Sequence, residues 1–443
     1  MNLETAKSFI LTVLVGISLL LTLGLWNYQP NDTLLNDQEE VDMDIGGSEV
    51  TQQEIVEPES IIFHQFNKHY GFTDPSKRQS LYQDMQKWVL YNMEIMNANG
   101  APANDYQVEV TFPDALPMGI ITKIFKLNDD NTYLPDWSFN RMFITFIPDS
   151  KALRLQFLSE NGQKKAVANV NDSKKYNLLW SYLTEHEDLE EYIAWDESET
   201  PIYIPSGSRE LTQRSFTVST INIDKLVNAL FNKPSIVSRA NKGEPYFSDS
   251  QSGMRLLQDG KLMKFDSPIS SNYERMNQLD VLNYSIKNIN EHKGWTGISN
   301  VQEGWRSEYN LEKLDLASNR LLYRMFYNGY AVYNGSALST IEQEWHNLSL
   351  SQYQRPMFSL NSTLGGETLE LQSGQSVIAF LQNNPKYNLD QISDIKIGYD
   401  LTVQESTSIK YYVRLEPAWF VNESGSWKEL DFGDEIPLNK GGS

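Results

Sequence analysis

Residues 8–26 read SFILTVLVGISLLLTLGLW and carry no charged side chain. A run of this length crosses the hydrocarbon core of a bilayer as a helix. Trp26 and Tyr28 follow where amphipathic rings favour the headgroup region, and Pro30 ends the helix. The apolar segment of a cleaved signal peptide is shorter and precedes small residues, which LGLWNYQP lacks. We therefore predict an uncleaved transmembrane helix over residues 8–27, with Trp26 and Tyr28 as membrane-interface anchors.

The charges beside this helix predict its orientation. Lys7 precedes it, whereas residues 27–60 contain many carboxylates and neither Lys nor Arg. Segments that carry basic residues are retained in the cytoplasm. We expect residues 1–7 to form a cytoplasmic stub, residues 28–60 an acidic flexible tether, and the remainder an extracellular region at the cell membrane.

Small residues recur within the predicted helix at four-residue spacing, as Thr12 with Gly16 and Ser18 with Thr22. This spacing lets a second helix approach closely in lipid, where packing drives association. Such residues are also common in transmembrane helices without a partner. The pattern predicts partner-helix contacts at these four positions.

Composition excludes several classes of protein. The chain has 443 residues, a net charge of -21 and no cysteine. An acidic surface repels phosphate backbones, so nucleic acid is not an expected partner. Without cysteine there is no disulfide framework, thiol nucleophile or Cys-ligated zinc. A large extracellular region without disulfides favours a bacterial cell envelope.

The hydrophobic periodicity predicts an α+β fold with antiparallel sheets. Asp74-Pro75 begins a helix whose apolar stripe includes Trp88 and Val89, and we expect it to stop at Asn99-Gly100. Further helices and strand pairs alternate along the chain. The stripe of Leu179 and Leu183 predicts one of these helices, and Asn328-Gly329 predicts a turn. We predict α+β domains at 61–172, 173–275 and 276–443. A helix followed by a strand meander occurs twice in the last, at 276–356 and 357–443, as a duplicated unit would show.

The chain matches linear catalytic motifs only in part. Ser393-Asp394-Ile395-Lys396 matches the Ser-x-x-Lys of penicillin-binding transpeptidases, but it lies in a strand-like alternation and no Lys-Ser/Thr-Gly follows. A Gly-x-Ser-x-Gly elbow is absent. The acidic cluster 185–191 could hold a carboxylate pair for glycoside chemistry, although such a run is usually a solvated face.

Metal-binding motifs are also incomplete. His64 and His69 are five residues apart, so on one strand they would point to opposite faces and could not share a metal. No His-Glu-x-x-His is present. The calcium-loop pattern that begins at Asp42 has Gln53 in place of the bidentate Glu. We expect no enzyme activity, cofactor or metal. The alternative is an anchored extracytoplasmic cell-wall enzyme or ligand-binding protein.

Four stretches resemble the YycH family of membrane-anchored regulators in Gram-positive bacteria. They are FILTVLVGISLLLTLGLWNYQP at 9–30, EVTFPDALPMGIITKIF at 109–125, IGYDLTV at 397–403 and LEPAWFV at 415–421. The layout of a short stub, one helix and a cysteine-free extracellular region is similar along the whole chain. The acidic part of 37–59 has no counterpart in the resemblance.

The resemblance implies a function and partners. Members of this family act with a second single-pass protein, YycI, on the essential sensor histidine kinase called YycG or WalK, which controls cell-wall metabolism genes. It further implies that the anchor helix contributes to the contact, that the C-terminal part resembles YycI, and that the extracellular α+β domains are non-catalytic.

Overall fold

The computed structural model of the chain describes residues 42–129, 131–195, 200–231, 246–249, 251–268, 276–297, 307–406 and 410–433, together with Val15 and Ser18. Among these residues, no helix is long and apolar enough to span a bilayer. The predicted transmembrane segment lies outside them except for Val15 and Ser18, both of which are helical. Residues 43–443 form one compact unit, and the description below concerns that unit.

Polar residues begin the longer helices. Asp74 accepts a hydrogen bond from the amide of Ser76 at 2.8 Å, with Pro75 at the first helical position, and Asp172, Asn222, Asn277 and Ser373 cap later helices in the same way. The α-helices are α1 (Gln52–Ile55), α2 (Pro75–Met85), α3 (Ile121–Ile124), α4 (Ser173–Glu185), α5 (Ile223–Leu230), α6 (Gln278–Glu291) and α7 (Gly374–Asn383). Short 3-10 helices span Met118–Ile120 and Leu389–Gln391.

A first sheet is built from the N-terminal half of the described chain. Its strands are β1 (Ser60–Gln65), β2 (Lys68–Phe72), β3 (Val89–Asn97), β4 (Tyr106–Pro117), β5 (Lys126–Leu127), β6 (Ser138–Ile147), β7 (Ala152–Ser159), β8 (Lys164–Val170), β9 (Leu189–Trp195) and β10 (Ile202–Pro205). Their order is β10-β9-β2-β1-β4-β6-β7-β8-β3-β5. All neighbours are antiparallel except β3 and β5.

A second sheet is built from the C-terminal half. Its strands are β11 (Arg209–Thr220), β12 (Tyr246–Ser248), β13 (Gly253–Leu257), β14 (Leu262–Asp266), β15 (Ser307–Asp315), β16 (Arg320–Tyr327), β17 (Tyr330–Tyr333), β18 (Thr340–His346), β19 (Ser349–Pro356), β20 (Phe358–Leu371), β21 (Ile392–Glu405), β22 (Tyr411–Glu423) and β23 (Ser426–Glu429). The order is β12-β13-β14-β19-β18-β16-β17-β21-β22-β11-β20, with β15 beside β16 and β23 beside β22.

The core lies against one face of the first sheet and continues into the second. Phe63, Val110 and Phe157 of the first sheet are buried in one cluster with Tyr82 of α2 and Leu179 of α4. The same cluster includes apolar residues of the second sheet and of α6. Each large apolar side chain buried this way contributes about 1.5–3 kcal/mol before the entropy of folding is subtracted.

A separate apolar cluster joins the edge of the first sheet to the C-terminal helix. Trp195 and Ile204 from β9 and β10 are buried with Val377 of α7 and with Ile395 and Trp419 of β21 and β22. The chain changes sheets between Pro205 and Arg209. The predicted division at 172/173 and 275/276, and the predicted duplication, stay predictions.

The predicted α+β class is confirmed, and two local expectations are corrected. Helix α2 ends at Met85 and not at Asn99-Gly100, because Val89–Asn97 forms β3, whose first residue pairs with Lys126. Residues 43–60, predicted as part of a flexible tether, are packed: Ile55 is 1% and Val56 2% exposed. A capping box between Thr51 and Glu54 begins α1 there. These aliphatic and capping residues outweigh the acidic composition on which the tether was predicted.

Candidate functional site: a charged cleft between the two sheets

The residues predicted for helix contacts can be located only in part. Ser18 is helical and exposed. The other predicted contact positions, Thr12, Gly16 and Thr22, and the predicted interface anchors, Trp26 and Tyr28, lie outside the described residues.

A cleft of about 1030 Å³ lies between the two sheets. One wall is formed by the start of β1 and the segment before it, including Glu59. The facing wall is formed by β15, β16, β21 and β23. Clefts between packed units are common places for ligands and for regulated contacts.

Three ionisable side chains meet in this cleft, and we call Glu59, Asp394 and Lys396 the cleft triad. Asp394 and Lys396 are two residues apart on β21, so both point to the same face. The Lys396 ammonium lies 2.5 Å from Asp394 and also contacts the Glu59 carboxylate. The triad thus links the segment before the first sheet to the second sheet.

A second ion pair continues the cluster. The Arg324 guanidinium binds both oxygens of Glu312, at 2.5 and 3.0 Å, a geometry that gives strong and directional pairing. Trp427 donates its indole N–H to Glu312 at 3.0 Å. The Lys396 ammonium lies 4.6 Å from the centroid of the Trp427 ring, and Arg324 lies 4.5 Å from that of Tyr333. An aromatic ring therefore lies beside the cation of each ion pair.

Burial shifts the protonation of the cleft triad. It raises the pKa of Asp394 from 3.8 to about 7, with the charge of Glu312 adding to the effect. It lowers the pKa of Lys396 from 10.5 to about 7. Desolvation disfavours the charged form of each group, which explains the opposite directions. Asp394 and Lys396 therefore both titrate near neutral pH, and their charges affect how strongly the two walls of the cleft are held together.

Further hydrogen bonds cross between the two halves. Arg78 of α2 donates to the carbonyl of Glu59 at 2.7 Å and to that of Gly329 at 3.1 Å. Asp114 accepts a hydrogen bond from the amide of Leu314 at 2.7 Å. Burial raises the pKa of Asp114. Polar contacts of this kind resemble those of adjustable interfaces between domains.

The two histidines excluded as a shared metal site do lie together, which corrects that reasoning. A two-residue turn at Phe66-Asn67 joins β1 to β2, and His64 is paired directly opposite His69. Opposite residues of an antiparallel pair project to the same face, so the Nδ1 atoms lie 2.8 Å apart. The exclusion was wrong because it treated both residues as part of one strand.

Other sequence candidates form ordinary surface contacts. In the acidic cluster 185–191, Asp188 pairs with Lys77 at 3.0 Å and Glu190 pairs with Arg209. Ser393 lies on β21, where its hydroxyl donates to the carbonyl of Asn422 at 3.3 Å. Sequence reasoning considered Lys396 only as a partner of Ser393. The available signal was the i, i+2 spacing of Asp394 and Lys396 between the isoleucines of β21.

Comparison with known proteins now decides the family. The model for the YycH protein, N-terminal domain, matches residues 4–188, and that for the YycH protein, C-terminal domain, matches residues 199–435. The chain belongs to the YycH family. A curated YycH relative, "Two-component system WalR/WalK regulatory protein YycH" of Bacillus subtilis (strain 168), is 23% identical over an alignment of 455 positions, which covers 96% of this chain and 96% of the relative.

A solved structure supports the fold of this YycH-family chain. The crystal structure of YycH from Bacillus subtilis superposes with a TM-score of 0.70 at 19% sequence identity. The match covers 88% of this chain and 99% of the other. The two sheets described above therefore represent the YycH fold.

Proposed function

We propose that this chain is a non-catalytic regulator of a sensor histidine kinase in a two-component system of the WalR/WalK type, which controls cell-wall metabolism. The observation that carries the proposal is the alignment with the WalR/WalK regulatory protein over 96% of both chains. Both YycH family models support it, since together they match residues 4–188 and 199–435.

The proposed regulator is anchored in the cell membrane by residues 8–27, with its N-terminus in the cytoplasm and its folded region outside. The uncharged run and the absence of Lys and Arg from 27–60 support this topology. Trp26 and Tyr28 anchor the outer end of the helix. Thr12, Gly16, Ser18 and Thr22 form the face that contacts the kinase helix and a YycI-like single-pass partner.

Regulation then works through a difference in binding. A partner shifts a kinase between two signalling states only by its difference in affinity for them. A coupling free energy of about 1–3 kcal/mol changes the equilibrium by about 5–150-fold. Contacts by one helix and part of an extracellular surface are sufficient for a coupling of this size.

A membrane two-hybrid assay of the full chain with the kinase tests the helix contact. We expect Gly16→Leu to reduce association, because a larger side chain holds the helices apart, and the paired change Ser18→Leu with Thr22→Leu to do the same. Gly24→Leu is the matched control, since it makes the same change outside both small-residue pairs. Equal association for Gly16→Leu and Gly24→Leu would exclude this helix face from the contact.

The cleft supports a second candidate, an anchored extracytoplasmic cell-wall enzyme or ligand-binding protein. Its volume suits a small ligand, and Lys396 with a pKa of about 7 could act as a base. Turnover of cell-wall polymer by the purified chain that Lys396→Met abolishes would favour an enzyme. We prefer the regulator because Lys396 contacts two carboxylates of the chain itself.

A further inference from the structure

A second groove, of about 600 Å³, lies beside β3 and shares no lining residue with the charged cleft. We call it the β3 groove. β3 contributes Ile95, Met96 and Asn97 to its lining, and the segment before β6 contributes Tyr133 and Trp137. Ile95, Met96 and Tyr133 are 39%, 48% and 72% exposed. Single exposed apolar side chains are ordinary, but a cluster of them in one groove marks a contact surface.

The strand beside this groove has an open edge. On one side β3 pairs with β8, whereas on the other side β5 covers only the first two residues of β3. The amide of Ala98 donates to the carbonyl of Gln163, next to β8. Successive residues of an antiparallel strand direct their backbone groups to alternate sides, so the N–H and C=O of Ile95 and Asn97 face away from β8. No strand of the described chain pairs with them there.

The open stretch of β3 lacks most of the features that protect a sheet edge. Natural sheets usually protect such an edge with Pro, Lys, a bulge or a very short strand. The bulge of β3 lies between Tyr91 and Glu94. The three residues after Glu94 include neither Pro nor a charged side chain. Ile95, Met96 and Asn97 therefore form a regular edge with which a further strand can pair.

This edge is complementary to itself. When two copies of β3 run antiparallel with Met96 opposite Met96, Ile95 of each copy lies opposite Asn97 of the other. These are the two residues whose backbone groups face outward, so each pair exchanges both of its N–H···O=C hydrogen bonds. Glu94 of one copy then lies opposite Ala98 of the other, and no like charges meet. The edge therefore satisfies the requirement of a two-fold symmetric contact, in which one surface pairs with itself.

We propose that two copies of the chain associate through the open edges of β3, which joins their first sheets into one continuous sheet. A second copy supplies backbone partners for Ile95 and Asn97 and an Ile95 side chain to cover the β3 groove. The wall of that groove includes Trp137, whose indole N–H is buried without a hydrogen-bond partner among the described residues. A lipid surface offers no matching row of backbone groups. The paired stretch is short, so the dimer dissociates more readily than one with a standard interface of about 800 Å² per partner.

Disulfide trapping tests the register of this contact. The chain has no cysteine, so one introduced cysteine can form a disulfide only between two copies. Met96→Cys lies on the two-fold axis, where opposite Cα atoms are about 4.5 Å apart, within the range of a disulfide. We expect mild oxidation of the full chain in detergent to give a covalent dimer of Met96→Cys on a gel without reductant. Leu348→Cys is the matched control, since Leu348 is 54% exposed on another hairpin, and it should stay monomeric.

Sedimentation of the same preparation, without cysteine, measures the dimer itself. We expect wild type to dimerise with rising concentration and Asn97→Pro to weaken dimerisation about tenfold or more, because it removes an outward N–H from each copy. Circular dichroism checks that Asn97→Pro is folded. A wild type that is monomeric at every concentration would overturn the proposal, as would equal trapping of Met96→Cys and Leu348→Cys. Binding of a monomeric wild type to phosphatidylglycerol vesicles, abolished by Ile95→Lys, would assign the groove to lipid instead. None of these assays contains the kinase, so they leave the proposed function untouched.

Discussion

Replacing Lys396 by Met tests the cleft triad most severely. Methionine keeps the length of the side chain and its contact with the Trp427 ring, but it removes the ammonium between Glu59 and Asp394. Two carboxylates then remain without a cation between them. Removing one partner of a buried ion pair costs about 3–5 kcal/mol, whereas an exposed pair contributes less than about 1 kcal/mol.

The exposure of the three side chains determines how much stability Lys396→Met should lose. Lys396, Asp394 and Glu59 are 24%, 23% and 19% exposed, so water in the cleft reduces the cost only in part. We expect Lys396→Met to lower the free energy of unfolding by about 1–3 kcal/mol at pH 7, where Lys396, with a pKa of about 7, is still partly charged. Denaturant unfolding of the full chain in detergent, followed by tryptophan fluorescence, measures this difference.

The loss of unfolding free energy in Lys396→Met, called the deficit below, should depend on pH. The pKa of Asp394 is raised in the folded state, from 3.8 to about 7. A raised folded pKa gives a stabilising contribution that is complete below pH 4 and is lost as the pH rises through 7. Without the Lys396 ammonium, Asp394 loses its nearest positive charge and follows this course more strongly. The deficit of Lys396→Met should therefore be smaller at pH 5, where Asp394 is protonated, than at pH 7, where it is partly ionised.

Two variants serve as controls. Lys428 pairs with Glu423 at 2.6 Å but is 55% exposed, so Lys428→Met should cost less than about 1 kcal/mol. Adding Glu59→Gln and Asp394→Asn to Lys396→Met should restore most of the lost stability, because no unpaired carboxylate remains. A deficit no larger than that of Lys428→Met, or one larger at pH 5 than at pH 7, would refute the reasoning.

Three further predictions concern other parts of the fold. Ile55→Ala should cost about 2–4 kcal/mol and expose residues 43–60 to protease; the same cleavage in wild type would contradict the packing of this segment. Burial and the charge of Arg355 lower the pKa of His292 from 6.5 to about 3, so stability present above pH 6.5 should fall by up to about 1.4 kcal/mol per pH unit towards pH 3. His292→Phe should flatten that slope in denaturant titrations, and an unchanged slope would exclude His292 as its source. Arg355→Met removes donors to Thr296 at 2.7 Å and Tyr353 at 3.1 Å and should lower the melting temperature by several degrees, whereas an unchanged value would show that these bonds contribute nothing.

Local elements could be predicted because a few residues close together in the sequence indicate each of them. Asp74-Pro75 marks the start of α2, and Asn328-Gly329 marks the turn between β16 and β17. Both turn residues have positive φ, 49° and 78°, as this hairpin type requires. The stripe of Leu179 and Leu183 likewise predicted α4, where both side chains are fully buried.

Long-range pairing could not be predicted from one sequence. Strand β11 pairs with β20 and β22, which lie far along the chain, and β17 pairs in parallel with β21. Periodicity indicates which face of a strand is buried but not which strand lies next to it. The cleft triad depends on such pairing, because Glu59 meets Lys396 only after both sheets are assembled.

The contact between His64 and His69 could not be predicted either, although the two residues are close in the sequence. Its geometry depends on a turn at Phe66-Asn67, and Phe66 adopts φ 54°, which is uncommon for an aromatic residue. No Gly marks this turn, so periodicity alone left β1 and β2 undivided. The packing of residues 43–60 was missed for a related reason, since acidic composition concealed the few aliphatic residues that anchor the segment.

Kinase activity in proteoliposomes tests the central claim most directly. A WalK-type sensor kinase is reconstituted with and without the full chain, and autophosphorylation is measured in each preparation. The account predicts a several-fold change in either direction when the chain is present, reduced in Gly16→Leu but not in Gly24→Leu. Identical autophosphorylation with and without the chain, at concentrations where both proteins are inserted in one bilayer, would contradict it.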